Sequence, residues 1–204
     1  MTHSSTTSTP ARREYVPVSL TLHTFTYTPV GRSAPTLDSA TLTIPAGQRV
    51  LLTGASGSGK STLLKALAGL IPADGEEEAD PTPGTTLMVQ NPTHAFVGAA
   101  AGLDIAFAPE NAGRSVPDIE EIVACSRESA RFTPPLTSDP FAVSGGQQQR
   151  LSLAGVFACD AGAILLDEPL TMLDADTGLA VRDAIVEAAG ERTIVIADHA
   201  PEPW

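Results

Sequence analysis

Between residues 18 and 27 apolar and polar side chains alternate, with Val18, Leu20 and Leu22 set against Ser19, Thr21 and His23. A period of two sends the two sets to opposite faces, so this stretch predicts a half-buried strand in an antiparallel pair. Pro29 and Gly31 mark a turn, residues 40–44 read as another strand, and Pro45-Ala46-Gly47 turns the chain again. From Gln48 the texture changes. Arg49–Thr53 reads as a buried strand, a glycine-rich loop follows, and Leu63, Leu64, Leu67 and Leu70 give residues 61–70 helical spacing. Strand, glycine loop and helix in that order open a parallel α/β sheet. Further buried strands are expected at residues 87–90, 163–167 and 193–197, and helices at 147–158 and 174–189. Between residues 92 and 143 the chain reads as loop-rich, with a helical candidate at 118–131, and is expected to form a small inserted subdomain.

Composition narrows the function classes. The 204 residues suit one domain, and an aromatic content of 4% leaves Leu, Val, Ile and Ala to fill the core. No apolar run reaches the eighteen or so residues a membrane span needs. The net charge of −12, with only twelve Lys and Arg, argues against a nucleic-acid partner, whose phosphates call for a basic face. Cys125 and Cys159 are far apart without metal spacing, which predicts buried thiols in a reducing compartment. Residues 1–14 form a Ser/Thr-rich segment without signal-peptide layout and are expected to be a disordered tail. The acidic run at residues 74–80 reads as a solvated loop. A cytoplasmic location follows as the expectation.

Two segments carry chemistry on their own terms. Gly54-Ala55-Ser56-Gly57-Ser58-Gly59-Lys60-Ser61 matches the G-x-x-x-x-G-K-[ST] phosphate loop. Glycines let successive N–H groups converge on phosphate oxygens, and the helix that follows adds its positive end. Lys60 can reach the β- and γ-phosphates, and the Ser61 hydroxyl can join a magnesium shell. The apolar strand Ala163–Asp167 then delivers Asp167 as a magnesium acid, with Glu168 next in line as general base for an attacking water.

Val143-Ser144-Gly145-Gly146-Gln147-Gln148-Gln149-Arg150 supplies a second glycine-opened helix, 23 positions from Ser144 to Asp167. Here the sequence resembles the ABC ATPase family, whose Ser-Gly-Gly-Gln signature lies shortly before the Asp-Glu strand. The resemblance implies a P-loop nucleotide-binding domain over residues 15–204, with an antiparallel β subdomain and a helical, coupling subdomain at about 92–143. It implies ATP bound by Gly54, Ala55, Ser56, Gly57, Ser58, Gly59, Lys60, Ser61 and Thr62, with Mg2+ held by Ser61, Gln90 and Asp167. It further implies head-to-tail dimerisation, in which Ser144, Gly145, Gly146 and Gln147 cover the γ-phosphate held by a second ATPase domain, identical or paralogous. Asp174 resembles the acid that communicates across that dimer, with Thr171 where Ser is usual. His199, 31 positions after Glu168, resembles the switch histidine at the γ-phosphate, and Gln90 the glutamine that senses magnesium and water. Tyr27, 33 residues before Lys60, stands where the family stacks an aromatic on adenine. A core tyrosine is the competing reading.

Val89-Gln90-Asn91-Pro92, with the later stretch from Asp104 to Asn111, resembles the ATPase subunits of energy-coupling factor importers of vitamins or transition-metal ions. That implies membrane partners, a transmembrane coupling protein and a substrate-binding protein, at the cytoplasmic face. Thr93, His94, Ala95, Gly102 and Leu103 depart from the usual pattern. Phe107 and Pro109 are candidate residues of a groove for a helix of the transmembrane partner, and packing of the small subdomain is the competing reading of Phe107. The alternatives are the ATPase of another ABC importer or exporter class, or a soluble ABC ATPase acting on DNA or ribosomes, against which the charge and the absence of heptads speak. Family members continue past the switch histidine, whereas this chain has five residues after His199. The C-terminal part is therefore expected to be missing and the sheet edge beyond residues 193–197 uncovered.

Overall fold

The structure, a computed structural model, describes residues 15–78, 80–199 and 204. The expected disordered tail, residues 1–14, lies outside the described residues. Strand β1 (Leu20–Tyr27) pairs antiparallel with β2 (Leu37–Ile44), and Leu20, Leu22, Leu37 and Ile44 point inward. The pairing slips between Leu22 and Phe25, where Thr24 and Ser39 take left-handed backbones of φ 51° and 50°. Threonine hydroxyls take up the freed amides: Thr24 N–H donates to Thr41 Oγ1 and Ser39 N–H to Thr26 Oγ1.

Strand β3 (Arg49–Thr53) leads through the glycine loop into helix α1 (Lys60–Leu67). Then come β4 (Thr85–Met88), a single 3-10 turn at Pro92–His94, α2 (Ala101–Asn111), α3 (Val116–Ser129) and α4 (Gly145–Ala158). Strand β5 (Ala163–Asp167), helix α5 (Ala175–Ala189) and β6 (Thr193–Asp198) complete the described elements. The four later strands form one parallel sheet in the order β3-β6-β5-β4. Alternation divides the central strands between two cores. Ala163, Leu165, Val195 and Ala197 face α1 and the antiparallel pair, whereas Ile164, Leu166, Ile194 and Ile196 face the helices α4 and α5.

The structure corrects the sequence expectations at several points. Strand β3, expected to be buried, is an edge strand in which Val50, Leu51 and Leu52 are half-buried and Arg49 and Thr53 exposed. Strand β6 lies between β3 and β5, so its flanks are paired and the sheet edges are β3 and β4. The strand expected at 87–90 is displaced toward its N-terminus, and Gln90 stands beyond its end. Helix α2 occupies a stretch expected to be loop: Ala101, Ile105, Ala106 and Pro109 form its buried stripe. Pro109 lacks the N–H of an interior helix position, yet the packing of that stripe outweighs the loss. The acidic loop does prove exposed, and Asp74 within it accepts from the Thr28 N–H and hydroxyl. Cys125 and Cys159 form no disulfide and are half-buried rather than buried.

Candidate functional site

The parallel register determines what meets at the C-terminal end of the sheet, the end where open α/β sheets bind ligands. Thr53 of β3 pairs with Asp198 of β6, so the glycine loop and His199 begin at the same level. Asp167 of β5 pairs with Ala197 of β6, which places Glu168 beside them. Gly54, Gly57 and Gly59 have φ of 155°, 78° and 95°, backbone that gives the loop its concave turn. At Gly59 a Cβ would lie 3.3 Å from both Thr36 Cγ2 and Thr36 O, a tight fit that adds to the strain a side chain meets at φ 95°. Lys60 folds back over the loop, its Nζ donating to Gly54 O at 2.8 Å and Ala55 O at 3.1 Å. Ala55, Ser56, Gly57 and Ser58 are exposed, while Ser61 and Thr62 are half-buried on the first turn of α1.

A cleft of about 400 Å³ separates Gly57 and Ser58 from the turn carrying Arg32 and Thr36. Tyr27 closes β1 behind it, its carbonyl accepting from the Thr36 N–H at 2.8 Å. The Tyr27 ring is half-buried against the core beneath β1 and β2, so it combines a packing contact with an accessible part.

Asp167 is buried, 4% exposed, and its Oδ1 has no hydrogen-bond partner. Burial holds its carboxyl above the ordinary value, opposed by the hydrogen bond from Ser61 and reinforced by the neighbouring Glu168 charge. An orphaned carboxylate oxygen beside a serine hydroxyl is a hard-oxygen donor set that suits Mg2+. These residues therefore fit the ion expected from the sequence.

Just past β5, Glu168 takes a left-handed backbone of φ 49°. Its Oε2 accepts from Gln90 Nε2 at 2.9 Å and from Thr171 Oγ1 at 3.2 Å. Gln90 is thus brought to Glu168, although it lies on a different strand connection. Asp198, next to His199, has its Oδ1 3.3 Å from His199 Nδ1, and its Oδ2 accepts from Trp204 Nε1 at 2.9 Å. The imidazole itself is exposed.

The glycine-opened helix lies elsewhere on the surface. Ser144 caps α4, accepting from the Gln147 N–H, and Ser144 and Gly145 are exposed with Gly146 partly so. A Cβ on Gly146 would come within 3.4 Å of Leu173 and the Met172 carbonyl, so this turn lies close against the segment after Glu168. Gln147 is tied to Thr133, its Nε2 donating to Oγ1 at 3.0 Å. Asp174 caps α5 by accepting from the Thr177 N–H at 3.0 Å, and this bonding holds its carboxyl below the ordinary range.

Sequence reasoning passed over Gln149, Thr171 as a Glu168 partner, Asp198 and Trp204. Gln149 gave one signal, a polar residue at a core-facing position of α4, where it is 1% exposed. The other three partnerships depend on loops whose paths no periodicity encodes.

Comparison with known proteins identifies the family. The ABC transporter family profile matches residues 37–171. An ABC transporter ATP-binding protein of Photobacterium profundum is 37% identical over 86% of this chain and 34% of its own length. Another from Halobacterium salinarum is 34% identical, covering 82% of this chain and 78% of the relative. The chain thus spans about a third of the Photobacterium protein. Among solved structures, the ATP-binding cassette MJ0796, dimeric and bound to ADP and Pi, superposes with a TM-score of 0.76 at 22% identity, over 90% of this chain and 88% of that one. CbiO1 from Clostridium perfringens gives 0.71 at 21% identity, over 89% and 78%. The family profile over residues 37–171 and the Halobacterium relative, matched over most of both chains, place this chain in the ABC transporter family, as an ATP-binding domain.

Proposed function

We propose that this chain hydrolyses ATP as the nucleotide-binding subunit of an importer of the energy-coupling factor type, attached to membrane partners at the cytoplasmic face. The observation that carries the hydrolytic reading is the convergence on Glu168. Gln90 and Thr171 hold its carboxylate at the sheet end where the buried Asp167 and the phosphate loop also lie. Loop amides from Gly54 to Thr62 and the Lys60 ammonium bind the β- and γ-phosphates, and the positive end of α1 adds to that field. Ser61, Asp167 and Gln90 would hold Mg2+, which when bound would offset the phosphate charge. Glu168 orients and polarises a water for in-line attack, and His199 contacts the γ-phosphate. Tyr27 stacks on the adenine.

In the signature Ser144 and Gly145 are exposed, and Gly146 and Gln147 are half-buried behind them. The signature closes on the γ-phosphate bound by a second ATPase domain, with Asp174 at the junction. The importer class rests on the segment from Gln90 to Asn111, and CbiO1, a structural neighbour, is part of the transporter complex cbiONQ. A coupling protein and a substrate-binding protein are the implied membrane partners.

The two-chain site is tested by phosphate release at graded protein concentrations. Rate per subunit should rise with concentration, and Ser144→Arg should abolish turnover while ATP binding to the monomer persists. A concentration-independent rate at dilutions where the protein is monomeric overturns it.

A further inference from the structure

Glu168 is anchored through its main chain as well as its carboxylate. Its N–H donates to Ala197 O at 2.8 Å, and its carbonyl accepts from the Thr171 N–H at 3.3 Å and from Gln149 Nε2 at 3.2 Å. The backbone so anchored is left-handed, a conformation strained for a residue with a Cβ, and it persists only where the surroundings enforce it. Gln149 belongs to α4, the helix that Ser144 caps, and is 1% exposed. Its Oε1 is buried without a partner. Methionine or leucine would fill the same space with no orphaned acceptor, so a purely structural role disfavours the carboxamide. The one group it places productively is Nε2, aimed at the Glu168 carbonyl.

We infer that Gln149 is a positioning residue for Glu168, fixing the left-handed backbone that aims the carboxylate and joining the signature helix to it. This rests on the proposed role of Glu168 as general base. Ser144 and Gln149 are five residues apart on one helix, about 7.5 Å along its axis. An anion engaged at the first turn of α4 is thereby linked to the base of the same chain, whose own nucleotide is a different one.

The test combines turnover with a nucleotide-free readout. In protein carrying 13C-labelled glutamate, the Glu168 resonances are identified by their loss in Glu168→Gln. Gln149→Met, with Gln149→Leu as a second variant and thermal melting to establish folding, should move the Glu168 Cα and carbonyl resonances. Turnover should fall by on the order of 10²-fold through misplacement of the base, with ATP affinity changed by less than about twofold. Glu168 resonances that stay in place in both folded variants overturn the inference whatever the turnover. Wild-type hydrolysis by Glu168→Gln would instead remove the base role, leaving the resonances to decide on Gln149.

Discussion

Gln90 donates from Nε2 to Glu168 Oε2 across 2.9 Å, joining the segment after β4 to the residue just past β5. The β4–β5 ladder ends at Met88 and Leu166, and Gln90 and Glu168 lie two residues further along each chain, past the ends of both strands. A carboxylate so placed already accepts two hydrogen bonds, from Gln90 and Thr171, and has lone pairs left for a water.

Glu168→Gln keeps the size and the acceptor for Gln90 but loses the basicity. ATP binding should survive, because Lys60 and the loop amides are untouched, while hydrolysis falls by roughly 10²–10⁴-fold. The protein should then accumulate as an ATP-bound dimer on size exclusion. Phosphate release near the wild-type rate in the assembled complex would remove Glu168 from the chemistry.

Asp167 yields a prediction of opposite sign for stability and for metal use. A carboxyl whose folded-state pKa lies above its unfolded value binds its proton more tightly when folded. Its contribution is fully present below the unfolded value and is lost as pH rises through the folded one. Burial raises Asp167 above 3.8, so at neutral pH its buried charge destabilises the nucleotide-free protein. Asp167→Asn should raise the nucleotide-free Tm at pH 7 by about 2–4 °C, corresponding to roughly 1 kcal/mol for a domain of this size. It should also abolish the extra stabilisation that Mg2+ adds to ATP. Calorimetry at pH 7 and again below pH 4, where the two proteins should converge, checks both signs. A lower Tm for the variant at neutral pH would show that burial does not dominate at this carboxyl.

What could be read in advance divides along physical lines. Arg49–Thr53, Ala163–Asp167 and the 193–198 strand are apolar runs bounded by turn residues, and their parallel pairing follows from the intervening helices. The glycine loop at residues 54–59 was legible as a turn because its glycines obey a local requirement: Gly54, Gly57 and Gly59 bend the backbone irrespective of what lies far away in sequence. Helix α2 was not, since Pro109 and the alanines before it read as loop while its stability comes from contact with α4. The edge of the sheet was misjudged for a similar reason. Strand order depends on crossovers, and β6, last in sequence, inserts between β3 and β5. Gln149 and Thr171 reach Glu168 through a left-handed turn, and no pattern of polarity forecasts that turn at a glutamate.

Phe107 offers the sharpest separation between docking and packing. Reading the sequence leaves it either lining a coupling groove or filling the subdomain core, and the structure decides against the core, since Phe107 is 50% exposed. Pro109, the other groove candidate, is buried within α2 and belongs to the packing instead. Leu103, four residues before Phe107, is 51% exposed, so the two share the outer face of α2. The loop beside them is fixed to the same helix, because Asp104 Oδ1 accepts from the Val97 and Gly98 N–H groups at 2.7 and 2.8 Å. Val97, Leu103 and Phe107 thus present an apolar face next to the Gln90 segment, of the kind an amphipathic partner helix covers. Phe107→Asp should therefore leave the purified protein folded, with Tm shifted by no more than about 2 °C as for a surface position, and with ATP affinity unchanged. Recovery with the membrane fraction of its own cells should be lost, and uptake coupled to it. A folded Phe107→Asp protein that still sediments with those membranes and supports uptake would eliminate this face as the coupling site.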